Sequence, residues 1–216
     1  MRKIFKTLSL VLALAVVPIS AQAFTFYLDQ VNVNNTGSNG PWASVTLTDT
    51  TVDGNDAVHF VIDPMESAFV NRGSNFGLQS FYFNESTAFG NLLKIANFNP
   101  SGWSFNYNAT PKYNAGGDFG KFEFLTGGEG NKRANPLSFD IYTDSNKILT
   151  IADFSTILST EGYLFSAHIA DYNNGASAKF ATDGTTPVPE PGTMVLLGFG
   201  MLGLAVYGKR RMNKDV

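Results

Sequence analysis

Short runs of Val, Phe, Tyr and Thr, separated by clusters of Gly, Asn, Asp and Pro, extend through residues 24–186. Runs of this kind are typical of β-strands joined by turns. The sequence shows no heptad pattern, no sustained helical period and no fixed repeat. The pattern therefore predicts an all-β body and argues against a helical bundle or a repeat array.

Several of the runs alternate between apolar and polar residues, as strands with one buried face do. In the run 119–125, Phe122 and Phe124 are expected to share the buried face, and Lys121 and Glu123 the wet one. Such strands are typical of two packed antiparallel sheets. We predict a single β-sandwich or jelly-roll domain of roughly eight to ten strands. The candidate strands are residues 24–33, 42–50, 57–63, 78–83, 92–98, 103–107, 119–125, 137–142, 163–169 and 178–181.

Residues 147–159 are ambiguous, because their apolar positions fit both a strand and a short helix. We interpret them as a strand that leads into a loop. The high Phe content and the low Leu content indicate that Phe fills the core.

The first 23 residues have the layout of a secretory signal peptide. Three basic residues precede the apolar run 8–17, and the small-residue sequence A-Q-A ends at Ala23. Cleavage is expected between Ala23 and Phe24. The alternative, an N-terminal membrane anchor, is disfavoured because the apolar run is shorter than the roughly 20 residues that span a bilayer.

The composition excludes several classes of function. The chain has no Cys, so thiol nucleophiles, disulfides and cysteine-based zinc sites are excluded. Seven of the 15 basic residues but only two of the 18 acidic residues lie outside residues 24–186, which leaves the body with a net charge of −8. A body this acidic repels nucleic acid and anionic membrane surfaces, so no nucleic-acid partner is expected.

The C-terminal segment, residues 187–212, joins three features in a fixed order. The sequence P-V-P-E-P comes first, and Pro189 and Pro191 impose an extended backbone around Glu190. An uncharged run of 15 residues follows at 193–207 and predicts a short transmembrane helix, suited to a transient span. The basic stop comes last and favours a cytoplasmic tail. It consists of Lys209, Arg210 and Arg211.

This order of features resembles the PEP-CTERM domain. The resemblance implies recognition by an exosortase, a multispanning, cysteine transpeptidase-like enzyme that cleaves at or near the motif. It also implies delivery of the released body to the cell surface or extracellular matrix of a Gram-negative bacterium. It covers about 25 residues and says nothing about the body. The alternative is a simple tail anchor on a proline-rich stalk.

Within the apolar run, Gly198, Gly200 and Gly203 spell G-x-G-x-x-G, the dinucleotide-binding fingerprint. No predicted strand precedes it and no ribose-binding acid follows, so small residues of a membrane segment explain it better. No cofactor is predicted.

An oxygen-rich cluster, D-T-T-V-D-G-N-D, contains Asp49, Asp53, Asn55 and Asp56. A hard cation could bind such a loop. The sequence lacks the EF-hand pattern, and Asp53-Gly54 between two alternating runs is a strong hairpin signal. We therefore predict a turn here and no metal site.

No constellation for catalysis stands out, and the body is expected not to be an enzyme. His59 and His168 both lie in mid-strand among apolar residues, without a G-x-S-x-G elbow. A glycosidase needs two facing carboxylates, and no spacing singles out a pair. The acids considered are Asp63, Glu66, Glu123, Glu129, Asp140 and Asp171.

The aromatic content leaves a carbohydrate-binding module open as an alternative. Exposed aromatic rings stack on sugars, although large aromatics are more often core residues. Trp103, between Gly102 and Tyr107, is the stronger candidate and Trp42 the weaker. The leading hypothesis is an exported, non-catalytic surface or matrix protein processed by an exosortase. The alternatives are a module that binds exopolysaccharide and a secreted glycoside hydrolase.

Overall fold

The computed structural model describes residues 23–33, 39–86, 89–116, 118–128, 132–145, 147–184, 188–189, 200–201 and 203. Within this part of the chain the fold is all-β, as predicted. The strands are β1 (Ala23–Leu28), β2 (Gln30–Val31), β3 (Ala43–Val52), β4 (Asn55–Pro64), β5 (Gly77–Phe83), β6 (Lys94–Asn99), β7 (Ser104–Tyr107), β8 (Tyr113–Asn114), β9 (Lys121–Phe122), β10 (Phe124–Gly127), β11 (Leu137–Tyr142), β12 (Phe165–Tyr172), β13 (Ala176–Thr182) and β14 (Val188–Pro189).

The strands form two six-stranded antiparallel sheets and one small ribbon. Sheet I has the order β14-β1-β3-β4-β11-β6, and sheet II has the order β2-β13-β12-β5-β10-β7. The ribbon consists of β8 and β9. The first and last described strands are therefore neighbours at one edge of sheet I.

Stacked phenylalanine rings form the core between the two sheets. Phe60 of β4 stacks on Phe139 of β11 with ring centroids 5.0 Å apart. Across the core, its ring lies 5.5 Å from that of Phe83 of β5. All three side chains are fully buried. The prediction that Phe fills the core is confirmed.

A second, smaller cluster lies apart from this core and corrects the prediction for residues 119–125. This run is not one strand, because β9 ends at Phe122 and β10 begins at Phe124. Phe122 packs with Tyr82 and Phe119 in the second cluster, whereas Phe124 joins the main core. The break occurs at Glu123, whose backbone N–H donates to Asn84 Oδ1 at 2.8 Å.

Residues 147–159 contain no strand, so that prediction was wrong. Residues 147–150 have no regular structure, and a short 3-10 helix follows at Ile151–Asp153. A capping box starts the helix, in which Thr150 and Asp153 hydrogen-bond each other's backbone N–H groups. This local pairing competes with strand formation.

Candidate functional site

The two predicted processing points meet at the edge of sheet I. Ala23 and Phe24, which flank the predicted signal-peptide cleavage point, are the first two residues of β1. Strand β14 pairs with β1 in an antiparallel register that places Phe24 opposite Pro189 and Thr25 opposite Val188. Pro189 has no N–H to donate, and an edge strand is where a sheet tolerates this.

Most of the other residues of the predicted signals lie outside the described residues. This applies to residues 1–22 of the signal peptide, to Glu190 and Pro191, and to the basic stop Lys209, Arg210 and Arg211. Of the predicted apolar helix, residues 200, 201 and 203 are described, and they are helical and exposed. No helix in the described ranges is long and apolar enough to cross a membrane.

The oxygen-rich cluster forms the turn between β3 and β4. Val52 pairs with Asn55, and the two residues between them have positive φ angles, 51° at Asp53 and 82° at Gly54. This is the backbone of a two-residue hairpin turn of type I′. Asp49 Oδ1 accepts a hydrogen bond from the Ile151 N–H at 3.0 Å. In the part of the chain that the structure describes, no group of three or more acidic or His residues could hold a metal ion.

His59 has a specific partner that the sequence does not reveal. Its Nδ1 lies 2.5 Å from Asp140 Oδ1, and Asn97 Nδ2 donates to Asp140 Oδ2 at 2.6 Å. The Asp140 side chain is 11 % exposed and the His59 side chain 38 % exposed. A carboxylate in this position orients the imidazole, as in catalytic and metal sites. Among the described residues, no nucleophile or further ligand is hydrogen-bonded to the ring, and the His59–Asp140 contact links β4 to β11.

His168 lies on β12 opposite Lys179 of β13. Burial lowers the pKa of His168 to about 4, and the positive charges of Lys179 and Arg133 add to this shift. The imidazole is therefore neutral at pH 7. A group with a pKa of about 4 accepts a proton only weakly near pH 7, so His168 is poorly suited to act as a general base there.

We expect His168 to make the stability of the body depend on pH between about 6.5 and about 4. In this window the unfolded chain binds a proton at His168 and the folded chain does not, so stability falls as the pH falls. The measurement is chemical denaturation of the wild type and of His168→Gln at several pH values. The wild type should lose more stability than the variant below pH 6.5. Parallel pH curves for the two proteins would contradict the prediction.

Glu85 and Glu123 are two carboxyl groups whose charges interact. Glu85 is 1 % exposed, and its Oε1 accepts the Gly90 N–H at 2.7 Å. Burial raises the pKa of Glu85, and the charge of Glu123 raises it further, although the Gly90 N–H opposes the shift. Burial also raises the pKa of Glu123.

Glu85 is too buried to meet a substrate in this conformation. No sequence pattern singles out Glu85, because its hydrogen bond with Gly90 depends on how the intervening loop folds.

The other candidate acids have structural roles where they are described. Glu66 forms an ion pair with Arg72 at 3.0 Å, and its charge contributes to a raised pKa of Asp63, after burial. Asp171 Oδ2 accepts the Asn75 N–H at 2.9 Å. Glu129 lies outside the described residues.

The two tryptophans are core residues and not a sugar platform. Trp103 is 7 % exposed, and its Nε1 donates to the Lys132 carbonyl at 2.7 Å. Trp42 is 4 % exposed, and its ring lies 5.3 Å from that of Phe180. The aromatic argument for carbohydrate binding therefore fails at both positions.

The last described strand of the all-β body leads into a proline-rich, then apolar, then basic sequence. This is the layout of an exported protein with a sorting tail. The family model of the PEP-CTERM protein-sorting motif matches residues 187–211. The chain therefore carries this motif, which indicates export and exosortase-dependent sorting to the cell envelope or surface. The match does not extend into the body. No curated protein and no solved structure matches the chain.

Proposed function

We propose that this chain is a non-catalytic surface or matrix protein of a Gram-negative bacterium, processed at both ends during export. The signal peptide is removed between Ala23 and Phe24. The apolar run 193–207 then holds the chain in the inner membrane until an exosortase cuts at or near Pro189, Glu190 and Pro191. The observation that carries this proposal is the sorting motif at residues 187–211.

The architecture and the charge of the body are consistent with this proposal. Its two sheets share one phenylalanine core, which fits the sandwich architecture expected of a cysteine-free exported domain. The net charge of −8 over residues 24–186 keeps the released body soluble. His59 pairs with Asp140 across β4 and β11, and Glu85 accepts the Gly90 N–H, so these polar groups take part in contacts within the fold.

Intact-mass spectrometry of the protein recovered from the native cell surface or medium tests the proposal. We expect a chain that begins at Phe24 and ends near residues 189–191. A matched strain without the exosortase should retain a chain that begins at Phe24 and ends at Val216. Recovery of the full tail from cells with an active exosortase would overturn the processing claim and leave a tail-anchored protein.

A further inference from the structure

The first residues of the sorting motif are also a strand of the body. Val188 and Pro189 lie inside the matched segment 187–211, and they form β14 at the edge of sheet I. Their partner is the beginning of β1, through the pairs Phe24 with Pro189 and Thr25 with Val188. The other side of β1 is occupied along its whole length by β3. The body therefore holds the sorting motif by main-chain pairing.

Main-chain pairing of this kind competes with recognition by a protease. One recurring way in which proteins bind an extended peptide is to add its backbone as a strand to a sheet edge. In the docked chain, part of the backbone of β14 already pairs with β1. The segment beyond Pro189 must reach a membrane-embedded enzyme, and the uncharged run begins only a few residues later, at Thr193. There is little free chain between the docked strand and the membrane.

The pairing is short, so its effect is limited. Two residue pairs, one of them containing a proline, provide few hydrogen bonds, and each such bond contributes only modestly to stability in water. Docking of this strength delays processing and does not prevent it.

We propose that β1 acts as a latch for the sorting motif, and that the exosortase cuts the chain only after β14 has left β1. The inference rests on the proposed function, because it assumes that an exosortase cuts near Pro189. It adds residues outside the motif, Phe24 and Thr25, that control access to the cut. These residues lie next to the signal-peptide cleavage point. Formation of β1 at the N-terminus therefore affects whether the C-terminal motif is accessible to the exosortase.

A pair of engineered disulfides tests the latch. The chain contains no Cys, so introduced thiols have no internal competitor. Thr25→Cys with Val188→Cys joins the latch across β1 and β14. Thr25→Cys with Thr46→Cys is the matched control, because Thr25 and Thr46 are register partners within the body and their hydroxyl oxygens lie 2.9 Å apart. Direct partners in an antiparallel pair have Cβ atoms about 4.5–5.5 Å apart, which is close to what a disulfide requires.

The full-length chains are purified from exosortase-deficient membranes, oxidised, and mixed with membranes that contain the enzyme. We expect the 25–188 disulfide to form and to slow processing at least tenfold, with recovery after reduction. The oxidised 25–46 control should be processed at the wild-type rate. Wild-type processing of the oxidised 25–188 chain would overturn the latch, as would failure of this disulfide to form when 25–46 forms. If the wild-type chain itself is never cut, the proposed function fails, and the yield of the 25–188 disulfide still decides whether the motif docks on β1.

Discussion

Phe60→Ala is expected to lower the free energy of unfolding of the body by about 3–5 kcal/mol. Phe60 is fully buried and contacts aromatic rings from both sheets and from the segment after β11. Its ring centroid lies 5.0 Å from that of Phe139, 5.5 Å from that of Phe83 and 5.2 Å from that of Phe154. Its removal leaves a cavity at the contact between the sheets, and close-packed neighbours fill such a space only in part.

Urea denaturation, followed by the fluorescence of the buried Trp42 and Trp103, measures this effect. Ile148→Ala is the control, because Ile148 is 73 % exposed and the loss of its side chain should change stability by less than about 0.5 kcal/mol. Equal effects of the two substitutions would contradict the packing described here.

Asp140→Ala is expected to cost about 2 kcal/mol, because it removes a largely buried carboxylate that accepts two hydrogen bonds. One partner is His59 at 2.5 Å and the other is Asn97 at 2.6 Å. Asp140 and His59 are direct register partners of β11 and β4, so their contact joins two adjacent strands of sheet I.

A double-mutant cycle with His59→Ala separates this contact from other effects of the substitutions. We expect a coupling energy of roughly 1 kcal/mol between the two positions. Asp144→Ala is the matched control, because Asp144 pairs with Lys94 at an exposed site where solvent screens the ion pair, so its loss should change stability much less than Asp140→Ala. Additive effects of His59→Ala and Asp140→Ala would show that their contact stabilises nothing.

Local sequence patterns predicted the strands well where the whole predicted run forms a single strand of one sheet. Residues 137–142 and the Asp53-Gly54 turn agree with the structure, because alternation and turn chemistry are properties of adjacent residues. The runs 24–33 and 119–125 were each predicted as one strand, yet each divides between two different sheets. At Glu123, the break depends on the side chain of Asn84, 39 residues earlier. A pattern within one run cannot report such a partner.

For the candidate sites, too, contiguous features can be recognised in the sequence and contacts between distant residues cannot. The sorting motif was recognisable because its features are contiguous in the sequence. The pairing of His59 with Asp140 depends on the adjacency of β4 and β11, which are 81 residues apart at this contact. The burial of the tryptophans likewise depends on which strands cover them. Strand order is a property of the whole fold, and the sequence pattern leaves it open.

The hairpin of β3 and β4 also has a consequence for how the chain assembles. Its ten-residue strands are joined by a two-residue turn, so its contacts link residues that are close in the sequence and cost little loop-closure entropy. In sheet I this hairpin lies between β1 and β11. Pairing of β14 with β1, in contrast, joins opposite ends of the described body. A chain that emerges from its N-terminus can therefore build the middle of sheet I early, and its outer edge is completed last.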